Sequence, residues 1–175
     1  LGHGIGVHPD WGLIGALRQS LVEKGYTTLS VQLPVLAAEA KADVYAPTFD
    51  AAAARLDKAV AYLKTKGYTH IALVSHSLGC RMSYRYLSGK PDASVKTWVA
   101  ISTPGTEDLG KLKLPVLDLY GQNDLPGVLK NAEVRAVGLR QAGSAQFRLN
   151  AADHFFEGQD AALLEQVSSY LKKHL

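Results

Sequence analysis

The stretch Ile71–Cys80, IALVSHSLGC, constrains this chain more than any other part of it. An apolar run (Ile71, Ala72, Leu73, Val74) ends in Ser75-His76-Ser77-Leu78-Gly79, and a helix-compatible segment, Cys80–Leu87, follows at once. A strand that passes into a helix through one serine implies a tight, strained turn that lifts the serine hydroxyl above a parallel sheet. Strand and helix backbones nearly touch there, so the turn demands small residues two before and two after the serine. Gly79 meets that demand. Ser75 stands where the usual pattern has glycine, and its small side chain is expected to fit.

Around this turn, strand-like and helix-like runs alternate, which predicts an α/β architecture: a mainly parallel sheet flanked by helices. Asp10–Lys24 carries Leu13, Ile14, Leu17, Leu21 and Val22 at helical spacing and ends at Gly25. Thr27–Leu33 alternates like a strand and Pro34 stops it; Val35–Pro47 reads as a loop. Phe49–Lys66 reads as an alanine-rich helix, Thr69–Val74 as the strand before the turn, and Leu78–Ser88 as the helix after it. Further strands are expected at Val95–Ser102, Val116–Tyr120 and Ala145–Leu149. Leu125–Ala142 should contain a helix broken early by Pro126 and Gly127. Gly158–His174 closes the chain with Leu163, Leu164, Val167, Tyr170 and Leu171 on one face. No repeat, linker or low-complexity segment interrupts this order, so residues 1–175 are expected to form one domain.

Composition removes several classes of function. The net charge is +3, and the basic residues are scattered, which favours a solvated surface over a nucleic-acid partner. No window approaches the ~18 uninterrupted apolar residues of a membrane-spanning helix. A single cysteine, Cys80, excludes an internal disulfide and a cysteine-rich metal site. Leu1 is not a methionine and Gly2 already belongs to a loop motif, so the natural protein is expected to extend upstream.

A nucleophilic serine needs a base, a carboxylate to orient that base, and hydrogen-bond donors for the oxyanion. Asp124 lies just past a strand end in Leu119-Tyr120-Gly121-Gln122-Asn123-Asp124, on the same sheet edge as Ser77. Its rival Asp118 lies within the strand and reads as structural or edge-exposed. His154, in Ala151-Ala152-Asp153-His154-Phe155-Phe156, follows the last strand and precedes the last helix. Five other histidines compete. His70 and His174 read as solvated, and His76 is expected to point away from the site that the turn creates. The oxyanion donors are the main-chain N–H of Leu78 and one from Gly2-His3-Gly4-Ile5-Gly6, assigned to Ile5. Val7 spoils a dinucleotide-binding reading of that glycine-rich stretch, and a metal site from His3, His8 and Asp10 finds no further ligand set, so no metal or cofactor is expected.

With these residues together, the chain resembles the α/β-hydrolase superfamily. The resemblance rests on His3-Gly4-Ile5-Gly6, Ser75-His76-Ser77-Leu78-Gly79, Gly121-Gln122-Asn123-Asp124 and Asp153-His154-Phe155, in that order along almost the whole sequence. It implies a serine hydrolase with Ser77 as nucleophile, His154 as general base and then acid, and Asp124 as the orienting carboxylate. Carboxylesterase chemistry on a small-molecule acyl ester is the expected activity; a thioesterase, an amidase or a catalytically silent binding protein is the alternative. Two departures stand out. Ser75 replaces the first glycine of the pentapeptide, and the strand that normally leads into His3-Gly4 is missing, which should leave a gap beside the strand before Ser77. Only Thr103–Leu114 lies where a cap domain would be inserted, so a lidless, open site is expected. Phe155, Phe156, Trp11 and Leu125 are candidates for an apolar acyl pocket. Gly4–Trp11 with Leu33-Pro34-Val35-Leu36 also resembles a proteobacterial branch whose precursors often carry secretion signals, which favours a periplasmic over a cytoplasmic location.

Overall fold

A computed structural model describes residues 1–175. Four parallel strands, β1 (Ile71–His76), β2 (Val95–Ile101), β3 (Val116–Gly121) and β4 (Ala145–Leu149), form a sheet in the order β1-β2-β3-β4. Their side chains alternate between two faces. Ile71 and Leu73 of β1 and Trp98 and Ala100 of β2 meet α2 (Phe49–Thr65) and α3 (Leu78–Leu87) on one side. Val74, Val99, Ile101, Leu117 and Leu119 meet α1 (Gly12–Glu23) and α6 (Asp160–His174) on the other. Burial on both faces is why these strands read as nearly continuous apolar runs. The helices contribute one stripe each, such as Ala52, Leu56 and Val60 of α2 and Leu163, Val167, Tyr170 and Leu171 of α6.

Parallel strands with helical crossovers put all the βα loops at the carboxyl edge of the sheet. Ser77, Ser102, Asp124 and His154 therefore leave β1, β2, β3 and β4 on one edge. Between β2 and β3 the chain makes only a short 3₁₀ turn at Leu109–Lys111, so no cap covers that edge.

Three segments differ from the sequence reading. Thr27–Leu33 is extended but forms an isolated bridge at Val31 instead of a strand. Its neighbour is the short Leu1–Gly2 backbone: Leu1 N donates to the Leu29 carbonyl (2.7 Å) and Val31 N to that of Leu1 (3.0 Å). Gly2 bonds β1 on its other side, donating to Val74 O (2.8 Å) and accepting from His76 N (3.0 Å). An apolar cleft of about 90 Å³ lies beside β1, with walls that include Leu29, Val31, Leu63 and Ala72. Second, the loop Val35–Pro47 contains a 3₁₀ segment, Ala42–Thr48. Third, Pro126 opens a helix instead of breaking one, since its fixed φ suits the first helical position and its missing N–H would be unpaired there anyway. The break falls at Asn131, between α4 (Pro126–Lys130) and α5 (Ala132–Gly138), where the side chain donates to the Pro104 carbonyl (2.9 Å).

Two polar contacts cross the buried interior. Asp118, on the opposite face of β3 from Leu117 and Leu119, accepts from Arg135 Nε at 3.0 and 2.9 Å and from Gln146 Nε2 at 2.8 Å, with both charged side chains fully buried. Arg135 also donates to the Val128 carbonyl (3.0 Å), so the pair ties α4 and α5 to β3. Asp118 is thereby structural, as its place inside a strand implied. In the other contact, the Trp98 indole N–H donates to Ser75 Oγ at 2.7 Å, with both residues out of water. This explains the serine at the first position of the pentapeptide: it is small enough for the turn and supplies the acceptor that the buried indole requires. Ser75→Gly strands that N–H, and the folded state is expected to lose about 1–3 kcal/mol, read as a lower urea midpoint at unchanged slope. An unmoved midpoint would show that the bond contributes nothing.

Candidate active site

Ser77 sits at φ +55°, ψ −125°, a conformation that side-chain-bearing residues avoid. Its N–H donates to Ile101 O (2.9 Å), and its carbonyl accepts from Cys80 N (2.9 Å) at the start of α3. The turn is possible because Gly79 lets α3 press against the main chain of His3, whose carbonyl oxygen would lie 2.3 Å from a Cβ added at Gly79. The one cysteine, Cys80, is buried beneath the turn with its thiol directed at the carbonyls of Ser75 and Ile101. Burial pushes that thiol up to about 12, which keeps it protonated and unreactive.

His154 Nε2 lies 2.9 Å from Ser77 Oγ, and His154 Nδ1 lies 2.6 Å from Asp124 Oδ1. With an ionised carboxylate as acceptor, Nδ1 carries the proton and the bare Nε2 accepts from the serine hydroxyl. Asp124 is saturated with donors. Oδ1 also accepts from Leu125 N (2.8 Å), and Oδ2 accepts from Ser102 Oγ (2.5 Å) and Gly121 N (3.1 Å). Burial alone would raise this carboxyl group, but the bonds from His154, Ser102 and Gly121 outweigh it and hold it below the usual carboxylate value. Ser102 was not singled out from sequence, although it ends the strand between those that carry Ser77 and Asp124. It holds φ +53° and is fully buried.

The acid and histidine loops are laced together. Gln122 N donates to Leu149 O (2.9 Å), Asn123 N to Ala152 O (2.8 Å), and Ala151 N to Gln122 Oε1 (3.0 Å). Gly121 permits this approach, because a Cβ there would meet Ala152 O at 2.4 Å. Asp153 Oδ1 accepts from Phe155 N (2.9 Å) and Glu157 N (3.2 Å), forming the turn that presents His154.

His76 departs from the sequence reading. Its ring turns into the site, 4.8 Å from the His154 ring, and its Nε2 donates to the His154 carbonyl (2.9 Å). The alternation of β1 places it on the site side, and the histidine loop supplies the acceptor. His174, read as solvated, is half-buried against Tyr170. His3 is buried behind the Gly4–Gly6 loop. Leu33 N can only donate to its Nε2 (3.0 Å), so Nδ1 carries the proton to Gly4 O (2.8 Å) and the ring is neutral. Both ring nitrogens are thus occupied, and Asp10 pairs with Arg18, so the His3–His8–Asp10 cluster does not converge on a metal.

A cavity of about 260 Å³ opens above Ser77. Gly4, Ile5 and Leu78 line it, and the N–H groups of Ile5 and Leu78 bond no other backbone group. Trp11, Leu125 and Phe155 also line it, whereas Phe156 turns into the core. Its walls carry no lysine, arginine, aspartate or glutamate.

Burial, and next the charge of His154, push His76 down to about 4. An unfolded histidine takes up its proton near the ordinary value of about 6.5, so the folded state loses stability as pH falls from there towards 4. His76→Gln keeps a donor for the His154 carbonyl without titrating. Between pH 7 and 4.5 the variant is expected to lose about 2–3 kcal/mol less stability than the parent in urea titrations. Equal losses would show that His76 does not carry this dependence.

The sequence family described as "Protein of unknown function (DUF3530)" matches residues 49–173. No curated protein matches the sequence. Among solved structures, dienelactone hydrolase from Anabaena variabilis is similar with a TM-score of 0.81 at 20% identity, over 99% of this chain and 84% of that one. Est1E from Butyrivibrio proteoclasticus is similar with a TM-score of 0.75 at 15% identity, over 98% and 85%. A serine hydrolase without lid from Xanthomonas campestris gives 0.68 at 17%, over 98% and 80%. With its parallel sheet, strained serine turn and site at the carboxyl edge, the chain belongs to the DUF3530 family and has the α/β-hydrolase fold.

Proposed function

We propose that this protein is a serine hydrolase, specifically a carboxylesterase that cleaves small acyl esters at an open, lidless site. The observation that carries this reading is the continuous line of hydrogen bonds from Ser77 Oγ through His154 to a donor-saturated Asp124. Three features lend support: the unbonded N–H groups of Ile5 and Leu78 beside the serine, the uncharged cavity, and the likeness to structures described as hydrolases.

In this mechanism Ser77 Oγ attacks the ester carbonyl carbon while His154 Nε2 takes the hydroxyl proton. Negative charge gathers on the carbonyl oxygen, where the N–H groups of Ile5 and Leu78 stabilise it. The tetrahedral intermediate collapses, the carbon–oxygen bond to the alcohol breaks, and His154 returns the proton to the leaving oxygen. Water then attacks the acyl-enzyme with its proton passing to His154, and Ser77 leaves as it regains that proton, releasing the carboxylic acid. Asp124 holds His154 in the Nδ1–H tautomer and stabilises the imidazolium that forms twice per cycle. Ser102 and the Gly121 N–H hold Asp124 in turn.

A fluorophosphonate is expected to add once to the protein, and the adduct should be absent from Ser77→Ala when both are weighed intact. A folded parent that takes no adduct would overturn the serine-hydrolase reading. Asp124→Asn removes the charge that selects the His154 tautomer, and kcat on a simple ester should fall by about 10⁴-fold with the fold retained. A fall of less than about tenfold would remove Asp124 from the relay.

A further inference from the structure

We propose that Trp11 and Phe155 form the subsite for the alcohol half of the ester, and that the substrates are uncharged esters with an apolar or aromatic leaving group. The proposal rests on the serine-hydrolase reading above and assigns each side of its cavity to one half of the substrate.

The lack of charged side chains in the walls bears on the substrate first. The side chains with polar atoms that line the cavity are His3, His76, Ser77, His154 and the indole of Trp11. His3 is committed to Leu33, Gln32 and Gly4, and His76 to the His154 carbonyl. A carboxylate or ammonium group entering here would lose part of its hydration and find no oppositely charged lysine, arginine, aspartate or glutamate, which opposes binding. Apolar surface is available instead. Trp11 and Phe155 are each 46% exposed and Leu125 is 51% exposed, so none of the three is a core residue. Scattered exposed apolar side chains are ordinary, but these three meet at one cavity above a nucleophile. Trp11 and Phe155 also hold each other edge to face, with centroids 6.1 Å apart and planes at 80°, so their free surfaces form a preorganised wall.

The chemistry then decides which half of the ester meets that wall. His154 must return its proton to the oxygen that leaves, so the alcohol half lies on the His154 side of the reacting carbon. The carbonyl oxygen lies towards Ile5 and Leu78. Phe155 follows His154 in the chain, its ring sits 5.1 Å from the His154 ring, and Trp11 extends the wall outward. The wall therefore touches the leaving group. After the first carbon–oxygen bond breaks, the alcohol departs and the acyl group alone remains on Ser77. The wall acts on acylation and is vacant during hydrolysis of the acyl-enzyme.

Two acetate esters of similar intrinsic reactivity, benzyl acetate and ethyl acetate, give the same acetyl-enzyme and separate these steps. The parent is expected to prefer benzyl acetate in kcat/KM, and Trp11→Ala to lower that preference about tenfold. The rate of acetyl-enzyme hydrolysis should not follow that fall, and Trp11→Phe should recover part of the preference. Adding a carboxylate in 4-carboxybenzyl acetate should abolish the benzyl advantage. An unchanged preference in Trp11→Ala, a matching fall in acetyl-enzyme hydrolysis, or equal use of the carboxylated ester would each overturn the proposal. Fluorophosphonate labelling separates the two levels. A parent that is not labelled sinks the hydrolase reading and the subsite with it. Labelled Trp11→Ala with unchanged preference sinks the subsite alone. Loss of labelling in Trp11→Ala only would make Trp11 part of the framework around Ser77, which also overturns the subsite.

Discussion

The contact of Gly79 with the His3 carbonyl is the constraint around which the site is arranged. It allows the first turn of α3 to lie against the Gly2–Gly6 loop, so that Leu78 and Ile5 line one cavity. The same closeness forces Ser77 into its unusual backbone conformation, at a cost of about 1–3 kcal/mol. That cost is borne by bonds on both sides of β1. Ser77 N is held by Ile101 O from β2, and Gly2 bonds Val74 and His76 from the opposite side. The turn is thus wedged between two neighbours, and its strain is a property of the sheet as much as of the pentapeptide.

Three other loops close on the turn, each held mainly by main-chain groups. The acid loop and the histidine loop share hydrogen bonds across Gly121 and Ala152, and His76 joins the histidine loop back to the strand that carries Ser77. Polar groups in such a closed network have few alternative partners, which keeps their geometry fixed and makes each loss expensive. Nearby, Asp118 faces the helical layer, where it is paired with Arg135. The cavity itself has no lysine, arginine, aspartate or glutamate in its walls. Two aromatic rings fixed against each other form part of its wall.

Much of the fold was legible because buried parallel strands and amphipathic helices write their periods directly into the sequence. The strand Ala145–Leu149 falls where its pattern puts it, and the other strands and long helices differ by a residue or two at their ends. Where the structure departs from the pattern, the cause is a contact or position that the pattern does not encode. Thr27–Leu33 has the alternation of a strand, but pairing is a property of neighbours and here amounts to one bridge, Gly2 with Val31. Pro126 was read as a breaker because its sequence position does not say whether it is inside a helix or first in one. The direction of the His76 ring is set by an acceptor, the His154 carbonyl, that lies 78 positions away.

By itself, the sequence determined the strand–serine–helix turn, the α/β order, and the placing of a serine, an aspartate and a histidine just after three of the strands, since these follow from local steric demands and short-range periodicity. The tertiary structure alone decided the rest. It made Ser102 the partner of Asp124, Ser75 the acceptor for Trp98, and Trp11 and Phe155 a pair at the cavity mouth. Each of those contacts joins residues distant along the chain, through hydroxyl directions and ring planes that become defined only once the sheet is packed.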